Sequence, residues 1–158
     1  MPHQLFAMYY VTDTNRGNGC LRVVPGSHWR RLPAHDRLAV AHLSAALAGP
    51  DIDDPMFGDV EGEVAVPVRA GDLLIGDSWL LYAAHANSSA VDRPLVTLWY
   101  HSAYDTLPPP LQSFLGDTYG DRLAAWPTAA RYRIGFKLPY RTDPSPPWPI
   151  CREPHQLA

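Results

Sequence analysis

Seven histidines and two cysteines are the chain's main stock of metal-binding and nucleophilic side chains, and their spacing excludes several chemistries. There is no His-Glu-x-x-His pair for a zinc hydrolase, no Gly-x-Ser-x-Gly elbow for a nucleophilic serine and no glycine-rich phosphate loop. His35 and His42 stand seven apart and could share a helix face, but no third donor lies near them, so they read as surface residues. Cys20 and Cys151 are far apart, without a Cys-x-x-Cys, which fits two reduced thiols better than a disulfide framework. What remains is a group of polar residues at the ends of apolar runs. His28 closes Pro25-Gly26-Ser27-His28; Tyr82, His85 and Asn87 follow a second run; Arg93 opens a third.

Three stretches, taken in order, carry a family resemblance. The first is NGCLRVVPGSH at 18–28, an Asn-Gly pair, a short strand and a Pro-Gly-Ser-His turn. The second is AGDLLIGDSWLLYAAHANSS at 70–89, and the third is Arg93 with LVTLWYH behind it, eleven positions after Tyr82. Together they resemble the phytanoyl-CoA dioxygenase family of Fe(II)/2-oxoglutarate oxygenases, over about residues 5–102.

The resemblance implies a double-stranded β-helix. Two histidines and one carboxylate would hold iron on one face and leave the other positions for 2-oxoglutarate and O₂. It also implies hydroxylation of a small organic substrate. In the family, the first histidine and the carboxylate come from a His-x-Asp motif ahead of the strand equivalent to 5–12. Here His3-Gln4-Leu5 is the nearest match, and Leu5 cannot ligate a metal. The second histidine belongs at the position of Tyr82. The chain is therefore expected to be truncated or impaired as an oxygenase, and both departures count against metal binding.

The resemblance also assigns roles residue by residue. Arg93 falls where the family binds the 2-oxoglutarate carboxylate, a task suited to a permanently charged, forked donor; otherwise it is a surface cation paired with Asp92 or Asp77. Pro94 and Leu95 follow it where a polar residue is usual, and Thr97, on the same strand face as Leu95, is the candidate helper. His85 is the candidate replacement metal ligand, although strand alternation turns it away from the face of Tyr82 unless the turn redirects it. Tyr82 itself is expected to fill the core and line the site, because a phenol with a pKa of about 10 is a poor ligand. His28 is expected to be structural or site-lining. Asn87 lines the site and, with Ser88, caps the turn that follows. Of Tyr9 and Tyr10, one must face the interior.

Residues 5–12 and 20–24 read as strands, joined as a hairpin through the Asn/Gly-rich stretch 14–19. Residues 35–48 read as a helix and 49–62 as a surface loop. Val64, Val66 and Val68 alternate along a strand that Pro67 places at a sheet edge. Residues 73–75 and 79–84 read as buried strand segments, 95–101 as the last strand, and 107–126 as two short helices, LQSFLGD and GDRLAAW. The fold class is thus mainly β, a partial double-stranded β-helix of jelly-roll or cupin type with short helices. It should occupy residues 1–138, ahead of a Pro-rich tail at 139–158 that holds six prolines.

Composition agrees with one folded domain. Hydrophobic residues make up 46% of 158, and 17 prolines with 11 glycines disfavour a helical bundle. A net charge of −3 predicts no particular partner, and no basic stripe suggests nucleic acid, so none is expected. No apolar run is long enough for a membrane span, and the first residues lack the features of a signal peptide, so a cytoplasmic location is expected. A small molecule is the expected partner. A homodimer through exposed sheet edges is a further expectation. The alternative to an oxygenase is a non-catalytic, degenerate barrel that binds a small carboxylate or a protein.

Overall fold

The computed structural model describes residues 4–37 and 58–134. Those up to Tyr100 form one compact unit and those from His101 onward form another. The first holds all six strands: β1 Leu5–Tyr10, β2 Leu21–Val23, β3 Val64–Val66, β4 Leu73–Asp77, β5 Tyr82–Ala84 and β6 Leu95–Tyr100. They make two three-stranded antiparallel sheets, ordered β4-β1-β6 and β3-β2-β5. The mainly-β, jelly-roll-type expectation is met.

The core lies between the sheets because every second residue of β1 is large and apolar. Phe6 and Tyr10 are fully buried and Met8 nearly so, while Tyr9 is 44% exposed on the other face. Residues directly opposite on an antiparallel ladder share a face. Leu74 and Thr97 therefore stand on the face of Met8, Gly76 and Trp99 on that of Phe6, and Leu95 on that of Tyr10. Leu21 of β2 joins Phe6, Met8 and Tyr10 from the opposite sheet, and Val23, Val66, Leu74, Tyr82 and Leu95 pack around them. Gly76 is needed here: any side chain at that place would run into the ring of Phe6.

Three expectations need correction. β1 and β2 do not form a hairpin. Both edges of β1 are taken, by β4 and β6, so the turn after β1 carries the chain across to the second sheet. Its crossing is tied to the β3–β4 corner. The Thr14 N–H donates to the Val68 carbonyl at 2.8 Å, the Val68 N–H donates to Thr14 Oγ1 at 3.1 Å, and the Ala70 N–H donates to Asp13 Oδ1 at 2.8 Å. Residues 73–75 are not a buried segment either, since Leu73 and Ile75 lie on the outer face at 56% and 62% exposure. The two short helices are one, Pro109–Ala124 (α2), because an interior glycine such as Gly116 costs a helix only about 1 kcal/mol.

Outside the sheets, α1 covers Pro33–Arg37, and α2 is followed by α3, Thr128–Ile134. In the second unit Tyr104 and Gln112 brace each other. The Tyr104 hydroxyl donates to the Gln112 carbonyl at 3.0 Å, and the Gln112 amide donates to the carbonyls of Tyr104 and Leu107. The rest of the expected helix 35–48, the loop as far as residue 57, the tail 139–158 and Cys151 lie outside the described residues. No described helix is long and apolar enough to cross a membrane.

Candidate functional site

The Pro25-Gly26-Ser27-His28 turn is built into the core. Ser27 is fully buried, and its Oγ accepts the Leu81 N–H at 2.8 Å, which fastens the turn to the chain entering β5. Val24, Ala34 and Leu81 form a second apolar cluster around it. His28 is half-buried with its ring against Trp29, centroids 5.0 Å apart, and its Nδ1 is buried without a hydrogen-bond partner.

Strand β5 pairs with β2 so that Tyr82 stands opposite Val23 and Ala84 opposite Leu21. Tyr82 consequently faces the core, where its ring meets that of Phe6 at 5.1 Å. Three residues on, the His85 N–H donates to the Cys20 carbonyl at 2.9 Å. His85 Nε2 is buried and has no hydrogen-bond partner. No group of three His, Cys, Asp or Glu side chains able to hold a metal comes together among the described residues. Among the described residues, then, no donor set fits an iron site: Tyr82 is an aromatic core residue, and His85 lacks companions.

Asn87 is committed to its turn. Its amide donates to the Val91 carbonyl at 2.9 Å, and its Oδ1 accepts the Ser89 N–H at 3.0 Å and the Ser89 hydroxyl at 2.7 Å. Ser88 Oγ reaches across to the Gly17 carbonyl at 2.9 Å, and Asn18 bridges to Asn87. An open depression of about 490 Å³ lies between these loops, lined by Asn15, Gly17, Asn18, Ser88, Ser89 and Val91. Its polar groups largely satisfy one another: Asn15 Oδ1, for instance, accepts the N–H groups of Gly17 and Asn18.

Arg93 behaves differently from its surface reading. It pairs with neither Asp92 nor Asp77, whereas Arg22 pairs with Asp59 and Glu63. Its half-buried side chain instead lies over Gly19. A methyl group at Gly19 would stand 3.2 Å from Arg93 Nε, 3.0 Å from the His85 carbonyl oxygen and 3.5 Å from Asn87 Cβ. The guanidinium is also close enough to act on Tyr10. Burial pushes the Tyr10 phenol above its ordinary value of 10.0, and the Arg93 charge pulls it partway back.

Two further hydroxyls belong in this neighbourhood. Tyr10 makes a long contact from its hydroxyl to Met8 Sδ, 3.8 Å. Thr12 Oγ1 is buried with no hydrogen-bond partner. The β1–β6 pairing ends at Tyr10 and Leu95, with Thr12 just beyond the one and Arg93 just ahead of the other. A buried, unsatisfied hydroxyl is costly unless a ligand or water engages it. Thr97, the expected helper, shares the inner face of β6 with Leu95 but sits opposite Met8, four residues from Arg93. Sequence reasoning missed Thr12 and Gly19. The inward alternation of Phe6, Met8 and Tyr10 carries a signal for Thr12; no one-dimensional pattern shows what Gly19 must accommodate.

A family model described as Phytanoyl-CoA dioxygenase (PhyH) matches residues 2–95. No curated protein matches the chain. Among solved structures, one similar chain is HygX from Streptomyces hygroscopicus with nickel and 2-oxoglutarate bound, at 22% identity and a TM-score of 0.49. That match covers 63% of this chain and 36% of HygX. A second is the non-heme alpha ketoglutarate dependent carbocyclase SnoK from nogalamycin biosynthesis, at 31% identity and a TM-score of 0.44, covering 63% of this chain and 36% of SnoK. A third is EctD from S. alaskensis with bound Fe, at 21% identity and a TM-score of 0.44, covering 66% of this chain and 34% of EctD. The chain thus spans about a third of the length of these solved proteins.

Proposed function

The chain belongs to the phytanoyl-CoA dioxygenase family, and from that membership we propose that it keeps the family's carboxylate-binding corner while being impaired in the iron chemistry. The ligand class is a small carboxylate, with 2-oxoglutarate the first candidate. Arg93 supplies the charge-assisted hydrogen bonds, and the hydroxyls of Thr12 and Tyr10 supply the neutral ones. The observation that carries this reading is the placement of Arg93. It is half-buried, unpaired with any carboxylate of the described chain, and close enough to shift the phenol of the fully buried Tyr10.

Impairment rests on Tyr82. Oxygenases of this family use Fe(II), 2-oxoglutarate and O₂, and the iron carries the oxidative chemistry while the protein orients and shields the reactants. A phenol packed on Phe6 does not replace an imidazole, and no neighbouring set of donors among the described residues makes up the loss. Calorimetry with 2-oxoglutarate on the native chain and on Arg93→Ala tests the binding half. Affinity in the native chain and about tenfold to hundredfold weaker binding in the variant are expected; equal affinities, or no binding by either, reject it. Succinate release from 2-oxoglutarate with added Fe(II) would reject the impairment half.

A second reading, self-association, is favoured by β6. This strand is at the edge of its sheet and exposes both faces, with Val96, Leu98 and Tyr100 at 50%, 45% and 52% outward and Trp99 at 37% on the other side. An apolar edge without charged guards invites pairing with a second copy.

A further inference from the structure

We infer that Gly19 is a positioning residue for Arg93: the missing side chain at this position is the space in which the guanidinium lies, and filling it would disarm the carboxylate corner from the opposite sheet. The inference rests on the proposed role of Arg93 and deepens it.

Two independent features make Gly19 unusual. Its backbone lies at φ 86°, a left-handed conformation that side chains rarely adopt. It is also buried in a place where the chain folds back closely on itself, with the His85 carbonyl and Arg93 Nε both within 3.2 Å of where a methyl would stand. The first feature alone would explain a glycine at a turn. The second concerns what lies across the turn. Gly19 precedes β2, whereas Arg93 precedes β6, so the two come from different sheets and meet only because nothing projects from Gly19.

The consequence for Arg93 follows from its length. An arginine has many rotamers, and holding one of them costs conformational entropy. Contact along Nε against a bare backbone limits the side chain while leaving the two terminal nitrogens free to meet a ligand. That is the preorganisation a bidentate carboxylate contact needs. Pro94 contributes from the other side, since its ring restricts the backbone of Arg93 to an extended form. A methyl at Gly19 would press on Arg93 Nε at 3.2 Å and on the His85 carbonyl at 3.0 Å, so the guanidinium would have to shift from this seat.

The test reads the position of Arg93 separately from ligand binding. In the native chain, nuclear magnetic resonance should show a cross-relaxation contact between the Gly19 α-protons and the Arg93 Nε proton; its absence overturns the proposal whatever the variants do. The Tyr10 hydroxyl, followed by carbon labelling at tyrosine Cζ, should titrate at higher pH in Gly19→Ala than in the native chain. Arg93→Ala should shift it in the same direction, and the double variant should shift it no further than Arg93→Ala alone. A Tyr10 titration unchanged in Gly19→Ala, or shifts that add in the double variant, would overturn the inference. If Gly19→Ala does not fold, the native cross-relaxation contact decides. Calorimetry with 2-oxoglutarate on the same proteins then shows about tenfold or greater loss of affinity in Gly19→Ala. Should the native chain bind no 2-oxoglutarate, the carboxylate reading fails, while the Tyr10 titration still decides whether Gly19 seats Arg93.

Discussion

The ring of Tyr82 rests on that of Phe6, centroids 5.1 Å apart and inclined by 42°, with the edge of Trp99 against the same phenylalanine at 6.0 Å. Tyr82 of β5, Phe6 of β1 and Trp99 of β6 thus form an aromatic cluster that joins the two sheets. Burial is what the ring contributes. Tyr82→Phe keeps the ring and should therefore cost less stability than Tyr82→Ala. Tyr82→Ala should cost on the order of 2–3 kcal/mol, below the usual 3–5 for a fully buried aromatic because Tyr82 is only partly buried. Chemical denaturation of the three proteins checks this. Loss of stability in Tyr82→Phe as large as that in Tyr82→Ala would mean that the hydroxyl, not the ring, holds the sheets together.

The Ser27 hydroxyl is a second joint. It is fully buried and is the hydrogen-bond acceptor for the Leu81 N–H at 2.8 Å. Removing it leaves a backbone donor unsatisfied beside a residue of the second core cluster. Ser27→Ala should lower stability by about 1–3 kcal/mol, the usual penalty for an orphaned buried donor. Hydrogen exchange should show the Leu81 amide losing protection in that variant; unchanged protection would mean another acceptor takes over.

Both joints had a trace in the sequence, though unequally. The runs 5–12 and 95–101, rich in aromatic and β-branched residues, locate β1 and β6. The turn 25–28 and the place of Tyr82 come from ordered motifs. Strand partners are a different matter. Nothing in residues 14–19 distinguishes a turn that returns a strand to its neighbour from one that crosses to another sheet, because both use Asn and Gly. Only the claim of β4 and β6 on the two edges of β1 decides it. The candidate site divides in the same way. Arg93 is visible by spacing, but Gly19 acquires meaning only from His85, Asn87 and Arg93, far along the chain.

The alkaline limb of stability should report on Tyr10. Burial raises its pKa above 10.0 in the folded chain, so between the unfolded and folded values the folded state holds a proton that the unfolded state has released. Stability from this group is thus fully present below about pH 10 and is lost as pH rises through the folded value. Thermal midpoints measured from pH 8 upward should fall beyond about pH 10 in the native chain and fall less in Tyr10→Phe. Arg93→Ala, which removes the charge that pulls the phenol down, should move the Tyr10 titration further up. A native alkaline limb identical to that of Tyr10→Phe would show that this phenol is not the group responsible.

Strand β6 gives the last prediction, and edge chemistry fixes its sign. Among the described residues the sheet order leaves one side of β6 without a partner strand, and its outward residues Val96, Leu98 and Tyr100 are about half exposed. Two copies meeting antiparallel along this edge would extend a three-stranded sheet to six and cover apolar surface on both faces, a two-fold arrangement in which one patch serves both partners. Sedimentation analysis of the native chain should then show a concentration-dependent dimer. Leu98→Lys puts a charge in the middle of the edge, the device by which natural edge strands avoid such pairing. It lies on the outer face, away from Phe6, Met8 and Tyr10, so the fold should survive and the variant should sediment as a monomer. A native chain that is monomeric at all concentrations would rule out the edge as an interface between copies. A Leu98→Lys variant that still dimerises would move that interface elsewhere on the molecule.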